Sequence, residues 1–216
     1  MQDFIVVMGM ILKAEPVGDY DRRLVILTKE KGKITAFAKG ARKPNSRFVA
    51  ATSPFSFGEF KLYVGREAYN ILETNISNYF DELRSDFMGA YYGMYFSEVM
   101  NYYTRENSDE KDMLKLLYQS MRALSNEKIG NDLIRYIFEI KALAINGEYP
   151  GIPEHKKILE STEYTISYIV NSQIERLYSF TVSDEVLMEL KQIATIFRNR
   201  FIDQKFKSME IIDSMT

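Results

Sequence analysis

The stretch RLVILTKEKGKITAFAK, residues Arg23–Lys39, decides how the first part of the chain folds. Two runs of β-forming residues flank a turn at 30–33, where Gly32 is able to adopt a positive φ. In the second run, Ile34, Ala36 and Ala38 share one side of the strand. The other side carries Lys33, Thr35, Phe37 and Lys39. This period of two predicts a β-hairpin with one buried face and one outward face.

Three further runs complete a set of five predicted strands. Phe4–Leu12 is continuously apolar, which predicts a strand buried on both sides. The other two runs are Phe57–Val64 and Ala68–Thr74. In the first of them, Phe60, Leu62 and Val64 are predicted to face inward, and Lys61 and Tyr63 outward. Five short strands with glycine turns and no long helix between them are typical of a small closed barrel.

After residue 78 the apolar residues recur with the period of a helix. One predicted stripe consists of Phe87, Tyr91, Met94, Tyr95, Glu98 and Tyr102. Leu133–Ile145 is apolar almost all round, which predicts a buried central helix ended by Gly147 and Pro150. A last helix is predicted from the N-cap Ser183, with a stripe of Val186, Leu190, Ile193, Phe197 and Phe201. The chain is therefore predicted to be α+β, with a five-stranded barrel domain at 1–77 and an α-helical domain at 78–216.

Basic residues are concentrated in the predicted barrel. The whole chain has a net charge of −2, but residues 1–75 hold 12 Lys and Arg against 8 Asp and Glu. The window 22–47 contains nine basic residues and one acidic residue, and it runs into the long polar loop Gly40–Ser53. A local basic field of this kind indicates a surface that binds a polyanion. The alternative is a solvated face whose counter-charges lie nearby in space.

Two aromatic residues alternate with these lysines on outward strand positions. Phe37 lies between Lys33 and Lys39 in the alternation, and Tyr63 follows Lys61. Aromatic rings flanked by lysines on a small barrel are suited to stack on nucleobases while the lysines neutralise phosphates. The alternative is that the 40–53 loop covers the rings, which would then serve packing.

Motifs that would indicate an enzyme are missing from the sequence. It contains no phosphate-binding loop, no dinucleotide-binding glycine pattern and no serine-nucleophile elbow. The single histidine, His155, lies beside two lysines and is expected to be an ordinary surface residue. With no cysteine, no disulfide and no thiolate metal site can form. We therefore expect no catalysis, no cofactor and no metal site. The short N-terminal apolar run predicts neither a signal peptide nor a membrane span.

Three motifs resemble the RecO family of bacterial recombination mediators. The longest lies in Gly18–Phe48 and contains Ala38-Lys39-Gly40-Ala41-Arg42-Lys43 followed by Ser46-Arg47. The second, FEIKALAING at Phe138–Gly147, resembles the central helix of the family, and the third is Phe206-Lys207-Ser208-Met209. Many members carry a four-cysteine zinc module after the central helix. Here 151–182 takes its place without cysteine, so folding without zinc is expected.

The resemblance implies an OB-type barrel that binds single- and double-stranded DNA, anneals complementary strands and helps to load RecA on DNA coated with single-stranded-DNA-binding protein. The residues expected to contact DNA are Arg22, Arg23, Lys33, Phe37, Lys39, Arg42, Lys43, Arg47, Lys61 and Tyr63. The helical domain is expected to bind the acidic C-terminal tail of single-stranded-DNA-binding protein. The candidates for that tail site are Tyr118, Arg122, Arg135 and Tyr136.

The resemblance further implies RecR as a partner, RecA as an indirect one, and a location in the bacterial cytoplasm at the nucleoid, with no membrane contact. A second hypothesis comes from a different class. The protein would be an adaptor whose barrel binds other proteins and whose basic patch serves RecR or an acidic peptide, without intrinsic DNA binding. OB-type barrels do both, so the fold does not decide between them.

Overall fold

The computed structural model describes residues 4–66, 68–126, 128–153 and 156–215, so the expected surface position of His155 lies outside the described residues. The chain divides into two compact units. One comprises the residues up to Ser85 together with Phe96–Leu114, and the other comprises Asp86–Tyr95 and the residues from Lys115 onward. Part of the helical sequence therefore groups with the strands, which the predicted boundary at 77 and 78 does not anticipate.

Five strands form a closed barrel in the order β1-β2-β3-β5-β4. They are β1 (Phe4–Val17), β2 (Asp21–Thr28), β3 (Gly32–Ala38), β4 (Phe57–Val64) and β5 (Tyr69–Asn78). Neighbouring strands pair antiparallel except β3 and β5, which run parallel and pair Ala36 with Tyr69 and Phe37 with Asn70. This closed barrel, followed by helices, confirms the predicted fold class.

The interior of the barrel is filled by the inward positions of the strands. Ile34, Ala36 and Ala38 are buried, which confirms the alternation predicted for β3. They join a core that includes Val7, Ile11, Leu24, Ile26, Phe60, Leu62 and Ile71. Each fully buried aliphatic or aromatic side chain of this size stabilises the fold by about 1.5–3 kcal/mol. A one-turn helix, α1 (Phe48–Ala51), follows the β3–β4 loop and adds Phe48 to the same core.

Two details of the predicted strands are wrong. The beginning of β1 is not buried on both sides, because Phe4 is 58% exposed and Val6 is exposed as well. A strand in a closed barrel has only one inner face, so Val6 lies outside opposite Lys61 of β4. Val64 was expected inside but is exposed, because it is the last residue of β4 and borders the turn to β5.

Seven helices follow the barrel within the part of the chain that the structure describes. They are α2 (Asp81–Ser85), α3 (Phe87–Tyr103), α4 (Lys111–Leu124), α5 (Asn131–Ile145), α6 (Glu160–Asn171), α7 (Asp184–Phe201) and α8 (Lys207–Met215). The stripe predicted on α3 is partly wrong, since Phe87 and Met94 are exposed. Tyr95 of the predicted stripe is buried, and the other buried residues of this face are Tyr92, Phe96, Val99 and Met100. Helix α3 carries aromatic and apolar residues on all of its faces, so its sequence alone does not identify the buried face.

Helix α5 is the centre of the helical unit. Every residue from Leu133 to Leu143 is buried, as predicted, and the helix packs against α6 and α7. Gly147, with φ of 76°, follows its end. The ammonium of the buried Lys141 donates to the carbonyls of Val170 (2.7 Å) and Ser172 (2.8 Å) at the end of α6. This pairing satisfies a buried charge and places it at the negative end of a helix dipole.

Helix α7 begins at the predicted residue, and its predicted stripe is buried except for Phe201, which is half-buried. The Ser183 hydroxyl accepts a hydrogen bond from the Val186 amide at 3.4 Å, which confirms the predicted N-cap. The buried residues of the predicted stripe are Val186, Leu190, Ile193 and Phe197. In the segment that precedes this helix, the buried apolar residues are Ile166, Ile169, Ile174 and Leu177. None of the described helices combines the length and the apolar character needed to cross a membrane.

Two glycines with positive φ give a matched test of the barrel geometry. At Gly32 (φ 65°) an added Cβ would lie 2.2 Å from the Arg105 carbonyl oxygen, whereas at Gly18 (φ 54°) it would meet nothing within 4 Å. Gly18→Ala should lower the free energy of unfolding by about 1–2 kcal/mol, from backbone strain alone. Gly32→Ala should lower it by about 2–4 kcal/mol, because the clash adds to the strain. Urea unfolding of both variants measures this, and an equal loss would contradict the close approach at Gly32.

Candidate nucleic-acid interface

The basic loop, which we define as residues 39–47, is held against the turn between β1 and β2. The Gly40 amide donates to the Asp21 carboxylate at 2.7 Å, and the Arg42 amide donates to the Tyr20 carbonyl at 2.8 Å. The Arg42 guanidinium also donates to the Gly18 carbonyl at 3.3 Å. These bonds fix the backbone of the loop, so its side chains start from a defined surface rather than from a mobile chain.

The basic loop exposes four cations. Lys39, Arg42, Lys43 and Arg47 are all exposed, and the ion pairs found between described residues include none of them. The Lys43 ammonium lies 5.5 Å from the centre of the Tyr20 ring. Arg47 donates to the Leu72 carbonyl at 2.7 Å and keeps its remaining donors. Because none of the four forms an ion pair with a described carboxylate, we expect these cations to be available to bind an anion.

One outward residue from each of the five strands belongs to a single cross-strand row, which we call the outer row. Its register pairs Arg23 with Phe37, Phe37 with Asn70, Asn70 with Tyr63, and Tyr63 with Phe4. Residues directly opposite each other on neighbouring strands share a face. The structure thus makes the predicted residues Arg23 and Phe37 direct neighbours, while Asn70 lies between Phe37 and Tyr63. Phe37 is half-buried and Tyr63 is exposed, so the row offers at least one accessible ring.

Charges next to the outer row are already paired within the protein. The Arg23 guanidinium lies 3.2 Å from the Glu15 carboxylate, whose pKa is lowered chiefly by Lys13 and also by Arg23. The Lys61 ammonium lies 3.1 Å from Glu73 and 5.0 Å from the centre of the Phe4 ring. Exposed pairs of this kind are worth only about 0–1 kcal/mol, so both cations could exchange partners. They nonetheless present less net charge than the basic loop.

Arg22 and Lys33, both predicted to contact DNA, hydrogen-bond to other parts of the protein. Arg22 lies in phase with the buried Leu24, and its guanidinium donates to the Val49 carbonyl and the Thr52 hydroxyl, both at 2.9 Å. Burial lowers the Arg22 pKa, and the nearby positive charge of Arg42 lowers it further. Contact between Arg22 and DNA stays a prediction. Its guanidinium already donates to two acceptors that hold α1 to the end of the barrel.

Lys33 is also committed to a protein partner. It points outward as predicted, but its ammonium donates to the Asn101 carbonyl at 2.5 Å. Its pKa is lowered mainly by burial and then by the charge of Arg105. The segment after α3 covers this end of the outer face, since the Lys33 amide donates to the Arg105 carbonyl at 2.9 Å. This covering by a distant segment could not be read from the alternation of β3.

The four candidates for tail binding separate into two pairs. Arg122 is exposed and Tyr118 is half-buried on α4. Arg135 and Tyr136, in contrast, are 3% and 1% exposed on the central helix α5. Arg135 stacks over the Tyr136 ring, and its Nε lies 3.2 Å from the Glu139 carboxylate. A buried, paired arginine has no surface to offer a peptide in this conformation. The role of the four residues in tail binding stays a prediction.

Sequence reasoning missed three residues that border these surfaces. Tyr20 is 50% exposed beside the basic loop, Asn70 occupies the centre of the outer row, and Arg66 is exposed in the turn between β4 and β5. The GDYD turn carried a signal for Tyr20, because an aromatic residue in a polar turn has no packing role in the strand pattern. Nothing in the sequence shows that this turn meets the basic loop.

A closed five-stranded barrel with a basic loop, an outer row of aromatic residues and a following helical unit defines the class of OB-type barrel proteins with a helical extension. Comparison with known families agrees with this class. The family profile described as "Recombination protein O N terminal" matches residues 1–80, and "Recombination protein O C terminal" matches residues 84–152. The chain belongs to the RecO family.

Curated relatives extend the match to nearly the whole chain. A protein named DNA repair protein RecO from Acetivibrio thermocellus is 26% identical, with 96% of this chain and 95% of the relative covered. A protein of the same name from Alkaliphilus metalliredigens is 34% identical over 68% of this chain and 58% of its own length. The Bacillus subtilis relative is 23% identical over 96% of this chain and 93% of its own length. Membership of this family supports a role in DNA repair and recombination.

Arg22→Ala and Lys39→Ala separate a supporting cation from an exposed one. Arg22→Ala should lower the free energy of unfolding by about 1–3 kcal/mol, because the Val49 carbonyl and the Thr52 hydroxyl lose their donor. Lys39→Ala should change it by about 0.5 kcal/mol or less, because the side chain is exposed. Chemical unfolding decides the matter. An Arg22→Ala variant as stable as Lys39→Ala would show that the two hydrogen bonds do not support the barrel.

A second pair of variants tests the helical unit. Arg135→Ala should be destabilising by about 3 kcal/mol, because it leaves the buried Glu139 carboxylate without its nearest cation. Arg122→Ala should stay within about 0.5 kcal/mol of the parent, since Arg122 is exposed. Thermal and urea unfolding report both values. Equal stabilities would mean that the Arg135–Glu139 pair does not hold the core.

Proposed function

We propose that this protein is a non-catalytic DNA-binding recombination mediator that binds single- and double-stranded DNA and anneals complementary strands. The observation that carries the proposal is the basic loop, in which four exposed cations form no ion pair with any carboxylate that the structure describes and stand on a backbone fixed by hydrogen bonds. Cations in such a position neutralise phosphates and release their counterions, which favours binding to any sequence. Neutralising two strands at once lets them approach each other and pair.

The proposed DNA-contacting residues divide by their place on the barrel and by the partners that they already have. Lys39, Arg42, Lys43 and Arg47 form the main phosphate-binding set. Arg23, Phe37 and Tyr63 in the outer row are the second set, where rings stack on bases. Arg22, Lys33 and Lys61, which already have protein partners, would contribute mainly by shaping and charging the surface.

The partners and location in the proposal rest on family membership. RecR and the tail of single-stranded-DNA-binding protein would bind directly, and RecA loading would follow from their joint action in the cytoplasm at the nucleoid. For the tail, Arg122 and Tyr118 are the accessible members of the candidate set. An acidic peptide needs cations beside an apolar surface, and Arg122 meets the first requirement.

Salt dependence tests whether binding is electrostatic. The logarithm of the binding constant for single-stranded DNA should fall linearly with the logarithm of the salt concentration, by about 0.7 for each phosphate contacted. Changing Lys39, Arg42 and Lys43 together to alanine should weaken binding at low salt and reduce the slope by about 2, because three contacts are lost. Fluorescence anisotropy with a labelled oligonucleotide measures both quantities, and the melting temperature should remain unchanged.

A second triple variant with the same change in charge serves as the control. Lys157, Arg176 and Lys191 are exposed residues of the helical unit, and replacing them with alanine should leave the slope almost unchanged. If both triple variants lose the same affinity, net charge alone governs binding and the basic loop is not the site. A flat salt response of the unmodified protein would favour the adaptor hypothesis.

A further inference from the structure

We propose that Tyr20 forms a nucleobase-binding subsite, in which its ring stacks on an unpaired base of a strand whose phosphates lie on the basic loop. The inference rests on the proposed DNA binding and adds to it a residue that distinguishes unpaired bases from paired ones. The ligand is an unstacked base with its neighbouring phosphates.

The backbone around Tyr20 is fixed before any ligand binds. Its carbonyl accepts the Arg42 amide at 2.8 Å, and the carboxylate of the next residue, Asp21, accepts the Gly40 amide at 2.7 Å. On the other side, the Gly18 carbonyl accepts the Arg42 guanidinium. Because the turn is already ordered, binding costs little further conformational entropy, and more of the stacking free energy contributes to affinity.

The Tyr20 ring combines exposure with a cation. Half of the residue is exposed, and the Lys43 ammonium lies over the ring, 5.5 Å from its centre. Base stacking and phosphate neutralisation are the two contacts that proteins use for single strands without sequence preference. Tyr20 supplies the first contact, and Lys43 and Arg42 of the basic loop supply the second. The same turn carries two carboxylates, those of Asp19 and Asp21, so the four cations of the basic loop outweigh them by two charges.

Other exposed rings lack this combination among the residues that the structure describes. Phe4 lies under Lys61, but Glu73 pairs with that cation. The Phe48 ring lies under Arg47 but is buried. Tyr164 is 72% exposed, but it belongs to the helical unit, in a sequence region where acidic residues outnumber basic ones. Arg200 lies 5.3 Å from the centre of the Phe201 ring, but that ring is half-buried and belongs to the helical unit. Tyr20, in contrast, is an exposed ring beside several cations that form no ion pair with a described carboxylate.

Stacking on Tyr20 would make the affinity of the barrel for DNA depend on whether the bases are paired. In a duplex, the bases are stacked on one another and their faces are not available to a side chain, whereas the phosphates still are. Tyr20 should therefore favour single strands over duplex, while the basic loop binds both. During annealing, pairing would withdraw the base from Tyr20, so the duplex product would be held less tightly than the strands that formed it.

Three ligands of equal length separate stacking from charge: an oligo-dT single strand, an abasic single strand and a duplex. Tyr20→Ala should weaken binding of the oligo-dT strand about fivefold or more, the effect expected for losing one base–aromatic stack. Its affinity for the abasic strand and the duplex should change by less than about twofold, because neither offers a base face. Tyr20→Phe should retain oligo-dT binding, and Tyr164→Ala is the control for loss of an exposed tyrosine.

The possible outcomes separate the inference from the proposed function. An equal loss for all three ligands, or no loss for oligo-dT, would overturn the Tyr20 subsite while DNA binding stands. If the unmodified protein binds none of the ligands, or if the triple variant of the basic loop binds like the parent, the proposed function fails and the subsite fails with it. If Tyr20→Ala lowers the melting temperature, the subsite is tested instead by comparing oligo-dT binding of Tyr20→Leu with that of Tyr20→Phe. Leucine keeps apolar bulk without an aromatic face, so retention by both variants would also contradict the subsite.

Discussion

The short parallel pairing between β3 and β5 closes the barrel, and the other features of this unit depend on it. It consists of Ala36 opposite Tyr69 and Phe37 opposite Asn70. Without it the sheet would end in two unpaired edges, each a site for pairing with another chain. Ala36, which takes part in this pairing, and Ala38 are both fully buried inside the closed barrel. The same closure turns Phe37 outward and joins it to the outer row.

Closure also decides which cations are available to a ligand. Arg22 and Lys39 belong to the same basic window of the sequence, yet one points to the barrel end and the other to solvent. The guanidinium of Arg22 donates to the exposed Val49 carbonyl and to the hydroxyl of the buried Thr52, which holds it at the α1 end of the barrel. Lys39 extends from the strand end into the basic loop. Density of charge in a sequence is therefore a weaker guide to binding than the phase of each residue in its strand.

Much of the fold could be predicted because it follows local rules. The alternation of β3, the cap at Ser183 and the all-apolar Leu133–Ile145 each have one consistent structural solution. The buried face of α3 and the exposure of Val64 could not, because they depend on what packs against an element or where a strand ends. The burial of Arg135 followed from the same all-apolar pattern that predicted α5 and could have been inferred from it.

The candidate site was predictable in composition but not in arrangement. The motif around Lys39–Arg47 identified the basic loop, whereas its attachment to Gly18 and Tyr20 arises from contacts between separate segments. Such contacts leave no periodic trace in a sequence. As a result the sequence did not indicate that Tyr20 lies beside Lys43, or that the Lys33 ammonium donates to the Asn101 carbonyl.

The most direct test of this account is an amide NMR titration of the intact protein with an oligo-dT single strand. The account predicts shifts concentrated at Gly18–Asp21 and in the basic loop, with smaller changes along the outer row at Phe37 and Tyr63. Shifts confined to the helical unit, with the amides of the basic loop unchanged at saturation, would contradict it.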